Sequence, residues 1–400
     1  MAKKSDITKT PANDDFAQKL IDELNREHQS RIAWNLGTDI SPTHVKRWIS
    51  SGSRLLDYAI SNRRNGGYPE GRIVEIYGPP SIGKSHLATQ AAISCQKMGG
   101  VVIYCDTENA CNPETLSQLG IDVTKNFVYA EPSCIEDVFK VVESTIARVK
   151  ETNKDIPVMI IWDSVAATPA RAELLGDVDQ QTIGLAARTI SKCLRRVTQL
   201  IGNSNVLFLI LNQIRLKVGV MYGSPETTPG GLAIPFHAST RIQLIGGSKI
   251  EGKDGELIGI NVEAKLIKNK VAQPFRRASF QIIFGVGVKD HEETFDMMRS
   301  HCADHGPVEV GDKFVSVSGT GGWKHFSVSA SKEDHDAEKF LLEKKFQKST
   351  FNELWVDDKY KDWLENMLEV VMVKTPQQAE RDVKKEALEK QDAGDVQAAK

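Results

Sequence analysis

The sequence predicts an α/β fold organised around a mostly parallel sheet, and three observations lead to it. From Ile73 to about Phe284, short apolar runs alternate with helix-patterned stretches, the order expected when strands are joined by crossover helices. The runs are continuously apolar instead of alternating, so they read as strands covered on both faces: Val101 to Cys105, Val158 to Trp162, Val206 to Leu211, Arg241 to Ile245 and Ile260 to Ala264. One further strand, Arg72 to Tyr77, runs into a glycine-flanked loop that opens directly into a helical run, Leu87 to Ile93.

The first dozen residues, rich in Lys, Thr, Pro and Asn, read as a flexible arm. Phe16, Leu20, Ile21 and Leu24 then recur at helical spacing, giving an amphipathic helix whose apolar face has no local partner. Ser61 to Gly67, rich in Gly, Asn and Arg, separates this lead from the first core strand. Beyond residue 285 the alternation weakens into a small α+β region, with Trp323, Phe340, Trp355, Tyr360 and Trp363 as expected core anchors. Pro376 to Lys400 is charged, lacks aromatics and reads as a frayed helix or tail. The organisation is therefore a lead and oligomerisation helix over 1–48, a core over 49–287, a small domain over 288–375 and a tail over 376–400.

Composition narrows the class. The chain has 400 residues, 40% of them hydrophobic and 26% charged, ordinary values for a folded protein. No run of about 18 apolar residues occurs, so no membrane span is expected. The opening Met1-Ala2-Lys3-Lys4-Ser5-Asp6 has no apolar stretch behind it and does not read as a secretory signal, which points to the cytoplasm. Six scattered cysteines with no C-x-x-C pair read as reduced thiols. With a net charge of −2, any nucleic-acid site has to be a local basic patch.

The chemistry starts at Gly78-Pro79-Pro80-Ser81-Ile82-Gly83-Lys84-Ser85, which satisfies G-x-x-x-x-G-K-[ST] at every fixed position. Gly78 and Gly83 let the backbone curl so that successive N–H groups point inward at a polyanion. Lys84 supplies a point charge for the β- and γ-phosphates, and the Ser85 hydroxyl a ligand for Mg²⁺. The following helix N-terminus adds its partial positive charge. The pattern predicts a nucleoside-triphosphate site. Asp163, closing an apolar strand, is the expected Walker B carboxylate on the Mg²⁺ shell. Glu108, beyond the strand that ends at Asp106, is placed to orient and deprotonate water, or is a solvated loop acid. Gln213 ends a third strand and suits a γ-phosphate sensor. The loop after it holds Arg215, Lys217 and Val218 among apolar residues and glycines, which suits single-stranded DNA or, alternatively, a mobile lid over the nucleotide.

These motifs, in this order, resemble the RecA-type recombinases. The stretches that carry the resemblance are Gly71 to Pro79, Gly184 to Arg188, Asn212 to Arg215 with Lys217, Pro225 to Thr228, and Lys268-Asn269-Lys270 with Pro274-Phe275, within about Ile49 to Gly287. Either a bacterial RecA or a phage-encoded, UvsX-like relative fits. The resemblance implies a RecA-like P-loop ATPase core using ATP and Mg²⁺, acting as a helical homo-oligomer on single-stranded and homologous duplex DNA. By resemblance, Glu108 is the catalytic glutamate, Gln213 the sensor, and Lys268 and Lys270 reach the ATP of the neighbouring subunit. Gly176 to Ile183 and Ile214 to Pro229 would be the two DNA loops. Arg188, Ser191, Arg195, Arg215, Gly230 and Gly231 would follow the DNA backbone, with Ile183 and Val218 near the bases.

The sequence also departs from that family. Asn112-Pro113-Glu114-Thr115 replaces an Asp and a Tyr that contact adenine, implying looser base selectivity, and Pro235 replaces a lysine at the subunit contact. A hexameric helicase of similar fold shares the phosphate loop and a Gln sensor. The Lys268–Lys270 pair and Pro225-Glu226-Thr227-Thr228 favour the recombinase. Arg188 and the second loop argue against a regulator that binds ATP without DNA.

Overall fold

The computed structural model describes residues 11–39, 41, 43–152, 155–176, 184–216 and 226–373. Two units result, one up to Lys46 and one from Arg47 onward. In the first, a helix over Pro11–Glu27 is followed by a short return whose geometry Asn25 fixes. The Asn25 Oδ1 atom accepts from the backbone N–H groups of Ile32 and Ala33 at 2.8 and 2.9 Å, and its Nδ2 donates to the Ala33 carbonyl. Phe16 and Leu20 lie exposed on this helix.

The second unit is centred on a sheet of nine strands among the described residues. In chain order these are β1 (Ile73–Gly78), β2 (Val101–Asp106), β3 (Phe127–Ala130), β4 (Val158–Asp163), β5 (Val206–Gln213), β6 (Thr240–Glu251), β7 (Leu257–Asn269), β8 (Arg277–Ile283) and β9 (Gly287–Lys289). They lie side by side as β9-β8-β7-β6-β1-β5-β4-β2-β3. From β6 to β3 every neighbouring pair is parallel, as the alternation with helices predicts. From β6 to β9 the pairs are antiparallel, because the chain turns back through short connections with no helix between them.

Period-2 alternation sorts the continuous apolar runs onto two cores. Leu207, Leu209 and Leu211 join Val74, Ile76 and Ile161 beneath the helices Arg54–Ser61 and Lys84–Lys97. Phe208 and Ile210 face the other way, with Ile160 and Trp162, beneath the helices Ile135–Thr152 and Leu185–Gly202. There Phe139 packs edge-on to Trp162 at 5.7 Å between ring centroids, and Trp162 stacks on Phe208 at 6.3 Å. With both faces covered, function is left to the strand ends and loops.

After β9 a helix, His291–His305, leads into a four-stranded antiparallel sheet running Val308–Val310, Lys313–Ser318, Lys324–Ser329 and Phe340–Phe346, closed by the helix Asp358–Met372. Trp355 and Tyr360 are buried here as expected. Trp323 is not: it is 65% exposed, on the tight connection after Gly321 and Gly322. Phe295, Phe326, Phe346 and Phe351 fill the core in its place, with Phe295 edge-on to Phe351 at 5.3 Å, while Phe340 and Trp363 are half-buried.

Candidate functional site

The loop between β1 and the helix Lys84–Lys97 turns back on itself through Ser81 (φ 56°) and Gly83 (φ 95°). A Cβ atom on Gly83 would fall 2.1 Å from Ile282 Cδ1, and one on Gly78 would fall 2.8 Å from the Leu244 carbonyl oxygen. The backbone carbonyl leaves no room for a side chain at Gly78, so that glycine is required by space, while Gly83 is required by its left-handed backbone. Lys84 is buried under the loop, where its ammonium donates to the carbonyls of Gly78 at 3.2 Å and Pro79 at 2.7 Å. Burial lowers its pKa, while the charges of Asp163 and Glu108 pull the other way.

The tips of β1, β2, β4 and β5 converge beside this loop. Ser85 Oγ donates to Asp163 Oδ2 at 2.8 Å, and Tyr104 Oη donates to the same oxygen at 2.7 Å. Burial raises the Asp163 pKa, and those two hydrogen bonds oppose the shift. A hydroxyl and a half-buried carboxylate this close are the oxygen ligands a hard divalent cation takes, so the pair fits Mg²⁺. The turn that carries Glu108 is laced to the end of β4. Thr107 Oγ1 donates to the carbonyls of Asp163 (3.1 Å) and Ser164 (3.0 Å), and buried Asp106 accepts from the backbone N–H groups of Glu108 and Cys111. Ser164 Oγ donates to Glu108 Oε1, and Gln213 Nε2 reaches the same oxygen at 3.4 Å.

Pro80, Ser81, Gly83, Lys84, Ser85, Glu108, Asp163 and Gln213 therefore line one cleft of about 430 Å³. Pro79 and Ile82 belong to the same loop without lining that volume. The rest of the lining is Ile260, Ile282 and Phe284, which are apolar, and the His86 ring, and these residues were missed in the sequence. Their signal is faint: no motif surrounds Ile260, Ile282 or Phe284, and only the fold brings Ile282 to Gly83. The combination of anionic, cationic and apolar walls can seat a triphosphate, a divalent ion and a flat base or sugar.

Lys268 and Lys270 stand elsewhere. Lys268 pairs with Arg241, and Arg241 with Glu75, three residues before Gly78, so Lys268 lies toward the opposite edge of the sheet. Its ammonium donates to the carbonyls of Pro235 at 2.7 Å and Phe236 at 2.9 Å. Burial lowers the His237 pKa, and the positive charges of Arg195, Lys268 and Lys270 lower it further, which places these basic groups in one neighbourhood.

Five of the candidate DNA residues, Arg188, Ser191, Arg195, Gly230 and Gly231, are carried by one helix and the turn against it. Arg188, Ser191 and Arg195 recur at three- and four-residue spacing along the helix Leu185–Gly202, which puts them on one face. A Cβ on Gly231 would meet Ala187 Cβ at 3.1 Å, and one on Gly230 would meet Ile190 Cδ1 at 3.0 Å, so this turn lies against the same helix. Gly230 and Gly231 both have positive φ, 88° and 66°. Arg215 is exposed on a two-residue ribbon, paired with Thr227, directly after Gln213. Ile183, Lys217 and Val218 lie outside the described residues, as do 177–183 and 217–225 of the two expected loops.

A parallel sheet whose strand tips surround a glycine-flanked loop, with Lys and Ser opening the next helix, defines a nucleotide-binding protein of the phosphate-loop class. The family model described as RecA N-terminal domain matches residues 17–289. The chain is 41% identical over 254 residues to Protein RecA of Acholeplasma laidlawii, covering 64% of this chain and 73% of that protein. It is 40% identical over 278 residues to Protein RecA of Chlorobaculum parvum, covering 69% and 76%. To Protein RecA of Francisella philomiragia it is 36% identical over 307 residues, covering 76% and 78%. The chain belongs to the RecA family, the RecA-type recombinases of DNA recombination and repair. Among its described residues, no helix is long and apolar enough to cross a membrane.

Proposed function

We propose that this chain is a DNA-dependent ATPase that assembles as a helical filament on single-stranded DNA and catalyses homologous pairing and strand exchange, acting in the cytoplasm. The observation that carries the reading is the convergence of Lys84, Ser85, Asp163, Glu108 and Gln213 on one cleft, with Gln213 two residues from Arg215. Lys84 and the loop N–H groups bind the triphosphate of ATP. Ser85 and Asp163 hold Mg²⁺, which supplies charge neutralisation at the phosphates when bound. Glu108, held by Ser164 and Gln213, orients the attacking water and takes its proton. The wall of Ile282 and Phe284 receives the base or sugar of the nucleotide.

Gln213 reports the γ-phosphate to the loop that follows it. Arg188, Ser191, Arg195, Arg215, Gly230 and Gly231, with Ile183, Lys217 and Val218, grip the DNA. Lys268 and Lys270 act on the ATP of a neighbouring subunit, and the lead helix bearing Phe16 and Leu20 packs on that neighbour. The division at 1–48, 49–287, 288–375 and 376–400 goes with this reading.

Electron microscopy of the protein with ATP and single-stranded DNA tests the assembly: helical filaments are expected, and closed rings would favour the helicase reading. DNA affinity provides the second test. If about four to six phosphates are gripped per subunit, log K against log salt slopes by roughly −3 to −4. Salt-independent affinity would rule out a phosphate-gripping surface.

A further inference from the structure

The polar side chains buried inside the sheet form a second connection between the cleft and the DNA surface. Glu75 sits in the middle of β1 with no solvent exposure, and its two carboxylate oxygens have separate partners. Oε2 accepts from Arg241 Nε at 2.5 Å, and the Arg241 guanidinium lies 4.7 Å from the Tyr77 ring. Oε1 accepts from Asn212 Nδ2 at 3.0 Å.

Asn212 is also fully buried, and its amide bridges three parts of the chain. Its Oδ1 accepts from the backbone N–H of Gln213 at 2.9 Å, and Nδ2 donates to the carbonyl of Pro229 at 3.0 Å as well as to Glu75. A side-chain amide has two N–H hydrogens, so the Nδ2 donors are both committed. One is spent on the strand that leads into the phosphate loop. The other is spent 17 residues along the chain, on the carbonyl just before Gly230 and Gly231. A second tie runs parallel to it: Gln243 Nε2 donates to Glu226 Oε2 at 2.8 Å, and Gln243 is the strand partner of Tyr77.

Packing alone does not call for this arrangement, since a buried ion pair adds little over an apolar filling of the same volume. What the arrangement does is join the backbone of Gln213, the strand entering the phosphate loop and the foot of the second loop through one side chain. We propose that Asn212 is a positioning residue that couples nucleotide state to the DNA surface at Pro229–Gly231, a role that rests on the DNA-dependent ATPase reading above. The Asn212 route acts beside Gln213, reaching the end of the loop while Gln213 leads into its start.

Because coupling is reciprocal, it is measured as the gain in affinity for a fluorescent oligo-dT when a non-hydrolysable ATP analogue is added. Asn212→Asp removes both donors and sets a second carboxylate against Glu75. Analogue affinity and nucleotide-free DNA affinity are expected to stay within about threefold, while the gain falls about tenfold. Since that variant risks misfolding, the double variant Glu75→Gln/Asn212→Asp moves the charge without adding one. The amide introduced on β1 can donate to the carboxylate introduced on β5 and accept from Arg241, restoring the link between strands, while the bond to Pro229 stays broken. Its melting temperature is expected to recover and its coupling to stay lost, which a merely structural role would not produce. A double variant with the wild-type gain overturns the coupling role of Asn212 and leaves the ATPase reading standing. Absence of any gain in the wild type removes both.

Discussion

The two halves of the main sheet carry their candidate residues in different ways. In the parallel half, the phosphate loop, Glu108, Asp163 and Gln213 all stand at or just past the C-terminal tips of strands, and those tips meet at one cleft. In the antiparallel half, β7 and β8 send Ile260 and Ile282 to that cleft but hold Lys268 toward the opposite edge. Parallel strands deliver their C-terminal ends to one edge by topology, whereas an antiparallel meander divides its ends between both. The first half can assemble a site within one chain. The second half supplies that site with a wall and holds Lys268 against the Pro235 and Phe236 carbonyls.

The largest effects are expected in the parallel half. Lys84→Ala should abolish ATP binding, since the loop loses its one side-chain cation. Glu108→Gln should keep ATP binding and slow phosphate release at least about 100-fold, because the amide keeps the shape and loses the base. Nucleotide-binding and phosphate-release assays separate the two, and full turnover by Glu108→Gln would remove that residue from the chemistry.

A smaller effect is expected from the antiparallel wall. Phe284→Ala should weaken nucleotide affinity roughly fivefold with the turnover rate nearly unchanged, as for contacts made equally in the ground and transition states. A fall in turnover with unchanged affinity would mean that the wall does more than seat the nucleotide.

The smallest effect lies just beyond the sheet, in the helix His291–His305. Burial and the nearby carboxylates of Glu292 and Asp290 push the Glu293 carboxyl from its ordinary 4.5 up to about 7, against the pull of Lys348. The folded chain therefore binds this proton more tightly than the unfolded chain, and its contribution to stability is lost as pH rises from 4.5 to about 7. Glu293→Gln should flatten that part of the stability profile and raise the melting temperature at pH 8 by about 2 °C. An unchanged profile would show that the carboxyl ionises freely in the folded state.

The same contrast explains what could be read in the sequence. The phosphate loop is local: its glycines, lysine and closing serine fall within eight consecutive residues whose flanks announce a strand and a helix. Asp163 and Gln213 close apolar strands, Glu108 follows one two residues on, and a parallel order puts such ends at one edge without knowledge of any contact. Phe284 and Ile282 line the same cleft, and Ile282 meets Gly83, from about 200 residues further along the chain, where no spacing rule reaches. Glu75 offered a clue, as a charge inside an apolar strand needs a partner. Its partners Arg241 and Asn212 are separated from it by 166 and 137 positions. Trp323 misled for the opposite reason: a large aromatic reads as core, but two preceding glycines place it at an exposed turn.

The central claim is that the lysines of the antiparallel half complete an ATP site on a neighbouring subunit, and mixing two inactive proteins tests it most directly. One carries Lys268→Ala and Lys270→Ala with an intact phosphate loop; the other carries Lys84→Ala with both lysines intact. Interfaces that pair a normal loop with normal lysines should recover DNA-stimulated ATP hydrolysis, with activity peaking at intermediate mixing ratios. No recovery at any ratio, in filaments shown to contain both proteins, would contradict a site shared between subunits.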